Sequence, residues 1–122
     1  MGSHPLNLGL RFVLELVALF ALGWWGYSLT GGWLRFALAG VFPLVAAAVW
    51  GTFAVPDDPS RSGEAPIAVS GRVRLVIEFL VFAAAVVGFV VVDRLSIAAG
   101  LLVALIVHYL LSTDRIGWLL ER

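Results

Sequence analysis

Long apolar runs alternate with short polar interruptions along the chain, and the length of the runs indicates what they are. A helix needs about 20 mostly apolar residues to cross a hydrocarbon core of about 30 Å. Four runs have roughly that length. They predict four transmembrane helices, at residues 8–27, 33–53, 73–92 and 95–111.

The interruptions between these runs predict the organisation of the fold. Residues 28–32 (SLTGG) and Asp93-Arg94 are tight turns, whereas residues 55–71 are rich in Pro, Gly and Ser and are typical of a linker. We therefore expect an all-α membrane fold in which two helical hairpins follow one another. The four-helix domain would cover residues 5–113 and a cytoplasmic interfacial tail residues 114–122, while residues 1–4 (MGSH) look like a cloning remnant.

Composition supports membrane as the solvent and excludes several classes of protein. Of the 122 residues, 61% are hydrophobic and 13% are charged, against about 45–50% and about 25% in soluble domains. A soluble domain of this length has too little interior for so much apolar surface. The net charge of zero argues against a nucleic-acid partner. The absence of cysteine excludes disulfides and thiolate metal sites.

The arginines predict the orientation, because cytoplasmic segments are enriched in positive charge. If the N-terminus is cytoplasmic, six of the eight basic residues fall on that side and only Arg35 and Arg94 on the other. The six are Arg11, Arg61, Arg72, Arg74, Arg115 and Arg122. We therefore expect both termini in the cytoplasm, an N-in/C-in topology.

The same charged pair occurs twice at the same spacing. RFVLE at residues 11–15 returns as RLVIE at residues 74–78, and Asn7 and Ser70 are candidate N-caps at the same offset. We interpret this as a duplicated helical hairpin. Because each unit has two spans, the copies would be related by a pseudo-two-fold axis along the membrane normal.

Glu78 is expected to lie inside the membrane. Only 14 uncharged residues separate it from Asp93, about 21 Å of helix, which is too short to cross. An ionisable group at this depth costs roughly 2.5–3.5 kcal/mol and needs a partner. Arg and Glu four residues apart share a helix face and could pair within each helix. The duplication suggests a better arrangement across the pseudo-two-fold axis, in which Arg11 reaches Glu78 and Arg74 reaches Glu15. The four charges would either pin the helices together or bind a proton, cation or substrate.

Other polar residues fall at a similar depth. The predicted polar layer consists of Arg11, Glu15, Trp50, Thr52, Arg74, Glu78 and His108. His108 titrates near neutral pH and would suit a proton relay, or it simply bonds a neighbouring helix. No second histidine outside the remnant accompanies it, so we expect no metal site and no cofactor. Tyr109 is assigned to the aromatic belt at the cytoplasmic interface.

Two further features carry structural predictions. Pro43 lies mid-span in the second helix, where it must free the carbonyl of Ala39 and is expected to kink the helix, as a gating hinge or for packing alone. The linker acids Asp57, Asp58 and Glu64, with Arg61, are interpreted as solvated.

Three segments resemble the YrdB/DUF2568 family of small bacterial membrane proteins. They are LNLGLRFVLEL at 6–16, PLVAAAVWGTFAVP at 43–56 and RLVIEFLVF at 74–82. The resemblance covers Leu6 to about Leu111, and its most distinctive part is the WGxFxxP block from Trp50 to Pro56. It implies a multi-pass protein of the bacterial cytoplasmic (inner) membrane. It supplies no activity and no catalytic residues.

Two functional hypotheses follow. In the first, the protein handles a small ion, proton or solute through the Arg–Glu layer, as a homodimer because four helices enclose little space. In the second, it is a non-transporting accessory or scaffold subunit with a protein partner, and the buried charges are structural. A lipid-modifying enzyme is a third hypothesis, but Walker, HExxH and GxSxG motifs are absent, so we expect no enzymatic activity.

Overall fold

The computed structural model describes residues 4–58 and 65–122. Within these residues the chain forms five helices and one pair of short strands, α1 (Pro5–Ser28), α2 (Leu34–Thr52), β1 (Phe53–Ala54), β2 (Ile67–Ala68), α3 (Gly71–Val91), α4 (Leu95–Leu110) and α5 (Thr113–Leu120). Residues 1–3 of the predicted remnant, and Arg61 and Glu64 of the predicted linker, lie outside the described residues.

The helices have the length and composition of membrane spans. Three of them, α1, α2 and α3, are each long and apolar enough to cross a bilayer. The fourth, α4, has only 16 residues and meets α5 at a bend of 69°, so the two helices qualify only as a broken pair. The described chain is therefore helical with three or four candidate spans. The tandem-hairpin arrangement and the N-in/C-in topology remain predictions.

The starts of α1 and α3 differ from the expected matching caps. Pro5 begins α1 one turn earlier than predicted, and His4 is the N-cap, accepting from the backbone N–H of Leu6 at 3.2 Å. Proline suits this first position because its φ is already helical. The assignment of Asn7 as a cap was therefore wrong, since Asn7 lies inside the first turn and is buried. Ser70 does cap α3, accepting from Val73 N–H at 3.3 Å.

Small residues let α1 approach its neighbours closely. At Gly26 a Cβ would collide with the backbone carbonyl of Leu38 in α2. At Gly23 it would lie 3.1 Å from the carbonyl oxygen of Ala39, the group that Pro43 leaves without its helical donor. The helix nevertheless continues through Pro43 to Thr52.

The hydrophobic core lies where α1, α3 and α4 meet, with Trp50 of α2 at one end. Its buried members are Leu14, Ala18, Ala21, Trp50, Phe82, Ala85, Phe89, Ala98, Leu101 and Leu105. Outside this core the surface is apolar too, and Phe36 and Leu44 of α2 are each about two-thirds exposed, at 67% and 69%. Such a surface fits contact with lipid rather than water.

The ends of the linker are structured, unlike the expected solvated loop. β1 and β2 pair in parallel, with Phe53 opposite Ile67. Ala54, Val55 and Asp58 are buried. The Pro, Gly and Ser content indicated a loop correctly, but composition does not reveal that its first residues are covered by α5.

The C-terminal segment, predicted as an interfacial tail, is helix α5 packed on the start of α3. Arg115 and Leu119 are its buried residues. The backbone carbonyl of Leu119 sits against Gly71, where any Cβ would overlap it. The closeness of this contact makes the α3–α5 junction sensitive to a single methyl group.

We predict that Gly71→Ala destabilises the protein, because the added Cβ forces α5 away from α3. Overpacking of this kind costs about 1–3 kcal/mol. The matched control is Gly117→Ala in α5, where a Cβ meets nothing within 4 Å and alanine favours the helix by up to about 1 kcal/mol. Thermal unfolding in detergent should show a lower Tm for Gly71→Ala only. Equal melting of the two variants would contradict the packing.

Candidate functional site

The site is centred on Glu78, which is fully buried in the third turn of α3. Its Oε2 accepts hydrogen bonds from Arg11 Nη2 at 3.1 Å, Arg74 Nε at 2.8 Å and Arg115 Nη2 at 2.8 Å. Its Oε1 accepts from Tyr109 Oη at 2.9 Å and Arg115 Nη1 at 3.0 Å. One carboxylate thus receives five hydrogen bonds from four side chains.

Arg74 connects this carboxylate to the end of α2. Its Nη1 donates to the backbone carbonyls of Trp50 at 2.5 Å and Phe53 at 2.8 Å. These carbonyls lie at a helix end, where backbone acceptors lack an intrahelical donor and the helix dipole favours a cation. The guanidinium carbon also lies 4.7 Å from the centroid of the Trp50 ring.

Arg11 lies between two carboxylates. Its Nε donates to Glu15 Oε1 at 3.1 Å, while its Nη2 donates to Glu78. The predicted Arg11–Glu78 pair is therefore present. The predicted Arg74–Glu15 pair was wrong, because Glu15 forms its salt bridge with Arg11 among the described residues and Arg74 pairs with Glu78. Each arginine shares a helix face with the glutamate four residues on.

Arg115 brings the linker into the same cluster. Its Nη2 donates to Asp58 Oδ2 at 2.7 Å and its Nε to Asp58 Oδ1 at 3.3 Å. Both side chains are almost completely buried, at 2% and 1% exposure. The interpretation of Asp58 as a solvated loop residue was therefore wrong. We call the joined residues the Glu78 cluster, which consists of Arg11, Glu15, Asp58, Arg74, Glu78, Tyr109 and Arg115.

His108 takes part in a hydrogen-bond network beside this cluster, and its ring packs on Tyr109 with centroids 5.0 Å apart. Its Nδ1 lies 2.9 Å from Asn7 Oδ1. Asn7 Nδ2 donates to Ser112 Oγ at 2.7 Å, and Ser112 Oγ donates to the carbonyl of His108 at 2.8 Å. The network joins the start of α1 to the α4–α5 bend, which is the simpler of the two roles predicted for His108.

The remaining predicted residues belong to α2. Trp50 is buried, and its ring faces both Arg74 and Arg11, whose guanidinium carbon is 5.5 Å away. Thr52 is half-buried as the last residue of α2. Pro43, predicted only as a kink, lies nearly two turns from Trp50 along α2. The structure therefore brings Arg11, Glu15, Arg74 and Glu78 of the predicted layer together with Trp50.

Positive and negative charges are equal in number across the described contacts of the cluster. Three arginines face three carboxylates across the described contacts. Among the described residues no group of His, Cys, Asp or Glu has the arrangement of a metal site. Glu15 differs from the other two acids, because 29% of its side chain is exposed.

Sequence reasoning missed the roles of Arg115, Asp58 and Tyr109. Arg115 lies in an amphipathic helix directly after the last apolar run, and this position in the sequence was the one available signal. Tyr109 is predicted to face the lipid interface, but its hydroxyl group points inward to Glu78.

Comparison with known proteins agrees with the predicted resemblance. Residues 9–107 match the model of the family described as "Protein of unknown function (DUF2568)". The chain belongs to the DUF2568 family. It is 44% identical over 116 residues to "Uncharacterized protein YrdB" of Bacillus subtilis (strain 168), a match that covers 95% of this chain and 94% of that protein. No solved structure matches the chain.

The DUF2568 match contains both Arg–Glu pairs and Asp58, but it ends before Arg115. The central carboxylate thus lies within the matched range, and one of its three guanidinium partners lies beyond it. Substitution of Arg115 therefore tests how far the stability of the matched range depends on α5.

We predict that Arg115→Gln lowers the free energy of unfolding by about 3–5 kcal/mol, because it leaves buried carboxylates with an unmet charge. Hydrogen exchange should also accelerate across α5 (Thr113–Leu120). Arg122→Gln is the control, since Arg122 is exposed and stacks on Trp118 at 4.4 Å. If both variants melt alike and α5 stays protected, Arg115 does not hold the junction.

Proposed function

We propose that this protein is a non-transporting accessory or scaffold subunit of the bacterial cytoplasmic membrane, and that its buried charges are structural. The observation that carries the proposal is the saturation of Glu78 by Arg11, Arg74, Arg115 and Tyr109. Of the two hypotheses drawn from the sequence, this geometry favours the second.

Glu78 has no capacity left for a ligand. Its side chain is fully buried and its two oxygens already accept five hydrogen bonds. A cation or proton could bind only by displacing at least one guanidinium group. That would leave an unpaired arginine in a region of low dielectric, which is costly.

The Glu78 cluster joins segments that lie far apart in the chain. Arg11 belongs to α1, Arg74 to α3, Tyr109 to α4 and Arg115 to α5, while Asp58 belongs to the linker. Contacts of this kind fix one arrangement of helices and connecting segments. Transport instead requires two arrangements that interconvert. A fixed face suits a protein that presents a surface to a partner.

The orientation and assembly form part of the proposal. With both termini cytoplasmic, the linker and α5 form the cytoplasmic face. A homodimer through α2 is favoured, because only 6% of the apolar window of α2 is buried within one chain. Ala48 is exposed on this helix, and small residues let membrane helices approach closely.

Ion or solute handling is the alternative, and one observation favours it. Glu15 is partly exposed and lines a cavity, unlike Glu78. If the protein moved an ion, Glu15 would be the accessible carboxylate. Substitution of each glutamate in turn therefore distinguishes the structural hypothesis from the transport hypothesis.

We predict different consequences for the two isosteric variants. Glu78→Gln should lower the free energy of unfolding by about 3–5 kcal/mol, since it leaves three arginines around a neutral side chain. Glu15→Gln should cost about 1 kcal/mol or less, because a partly exposed pair contributes little. Thermal and denaturant unfolding in detergent measure both values.

A flux assay completes this experiment. Proteoliposomes of the unmodified protein should pass H⁺, Na⁺ and K⁺ no faster than protein-free liposomes under an imposed membrane potential. A flux present in the unmodified protein and lost in folded Glu15→Gln would overturn the proposal in favour of transport. Unchanged stability of Glu78→Gln would also contradict it.

A further inference from the structure

A partly enclosed cavity of about 150 Å³ lies between α1, α2 and α3, at the edge of the Glu78 cluster. Short side chains create the space, since Ala18 of α1 faces Ala46, Ala47 and Gly51 of α2. Longer side chains here would close it.

The walls combine aromatic rings with one accessible charge. Trp50 and Phe82 line the cavity, with ring centroids 5.2 Å apart and planes at 81°. Glu15 is the acidic wall residue, and 29% of its side chain is exposed. Its Oε1 accepts from Arg11, which leaves Oε2 able to accept from a ligand.

Trp50 contributes its ring to the wall and no polar group that a ligand could reach. The residue is 9% exposed, and its indole Nε1 is itself buried. Glu15 is therefore the polar group available to a ligand. A carboxylate only accepts hydrogen bonds, so the ligand must donate one, as a hydroxyl group does.

The charges beside Glu15 favour a neutral ligand. Among the described contacts, Arg11 already forms a salt bridge with Glu15. A cation bound at Glu15 would lie close to this guanidinium group, and an anion would meet the carboxylate itself. A neutral donor introduces neither problem.

The volume limits the size of the ligand. A protein cavity of about 150 Å³ accommodates a single benzene ring. We propose that this cavity binds a small neutral aromatic alcohol, with the ring against Trp50 and Phe82 and the hydroxyl group donating to Glu15. The site goes beyond the proposed structural function and does not depend on it, because Glu78 takes no part in binding.

The test compares phenol with anisole, its methyl ether, which has a similar ring but no hydrogen to donate. NMR of the indole N–H of Trp50, identified with Trp50→Phe, follows titration of each compound into the full chain in detergent. Phenol should give a saturable shift, with an affinity about tenfold or more above that of anisole, because hydrogen bonds to charged groups are among the stronger ones. Equal affinities would overturn the proposal.

Cavity-filling variants locate the binding. Ala46→Leu should abolish the saturable shift, and Ala47→Leu tests the same wall if the first variant does not fold. Ala83→Leu is the matched control, since Ala83 lines an apolar groove between α3 and α4 that contains no charged residue. Phenol binding that survives both filling variants, or is lost equally in Ala83→Leu, would mean partition into apolar surface and would overturn the site. Stability of Glu78→Gln is measured separately, so the two proposals fail independently.

Discussion

A fully buried carboxylate is the constraint on which the rest of this structure depends. The side chain of Glu78 has no exposed surface, and an unpaired charge in an apolar interior is expensive. Arg11, Arg74 and Arg115 all form salt bridges with this carboxylate. Tyr109 donates a further hydrogen bond to it. Bringing these donors together requires α1, α4 and α5 to meet α3 at one level, which fixes the end of the bundle.

Each of the three arginines also bonds a second group besides Glu78. Arg74 caps the carbonyls at the end of α2, Arg11 holds Glu15, and Arg115 compensates Asp58. Removing any one guanidinium group would therefore affect acceptors on two segments and not one. Such cooperation explains how several charges can be buried together here. Glu15 is the accessible carboxylate of the cluster and lines a cavity.

The sequence predicted the first four helices and the Arg11–Glu78 pair, but not α5. Long apolar runs can be counted directly, so the three candidate spans follow from run length, and the submerged position of Glu78 remains a prediction. Arg115 and Asp58 could not be found this way, because polar residues beside an apolar run look solvated in composition and only the fold shows that α5 turns back onto α3. Asn7 resembles a cap in the sequence, but Pro5 and His4 begin the helix. The duplication remains a prediction from the repeated pair.

The most direct test of the central claim is a double-mutant cycle between Arg115 and Glu78, the pair joined by two hydrogen bonds at 3.0 and 2.8 Å. Unfolding free energies of the unmodified protein, Arg115→Gln, Glu78→Gln and the double variant give the coupling. Residues in one salt-bridge network couple by about 0.5–3 kcal/mol, and a value in the upper part of this range is expected, with the double variant more stable than the sum of the single losses predicts. Strict additivity would contradict the account, because Glu78 would then not depend on the arginine that α5 supplies.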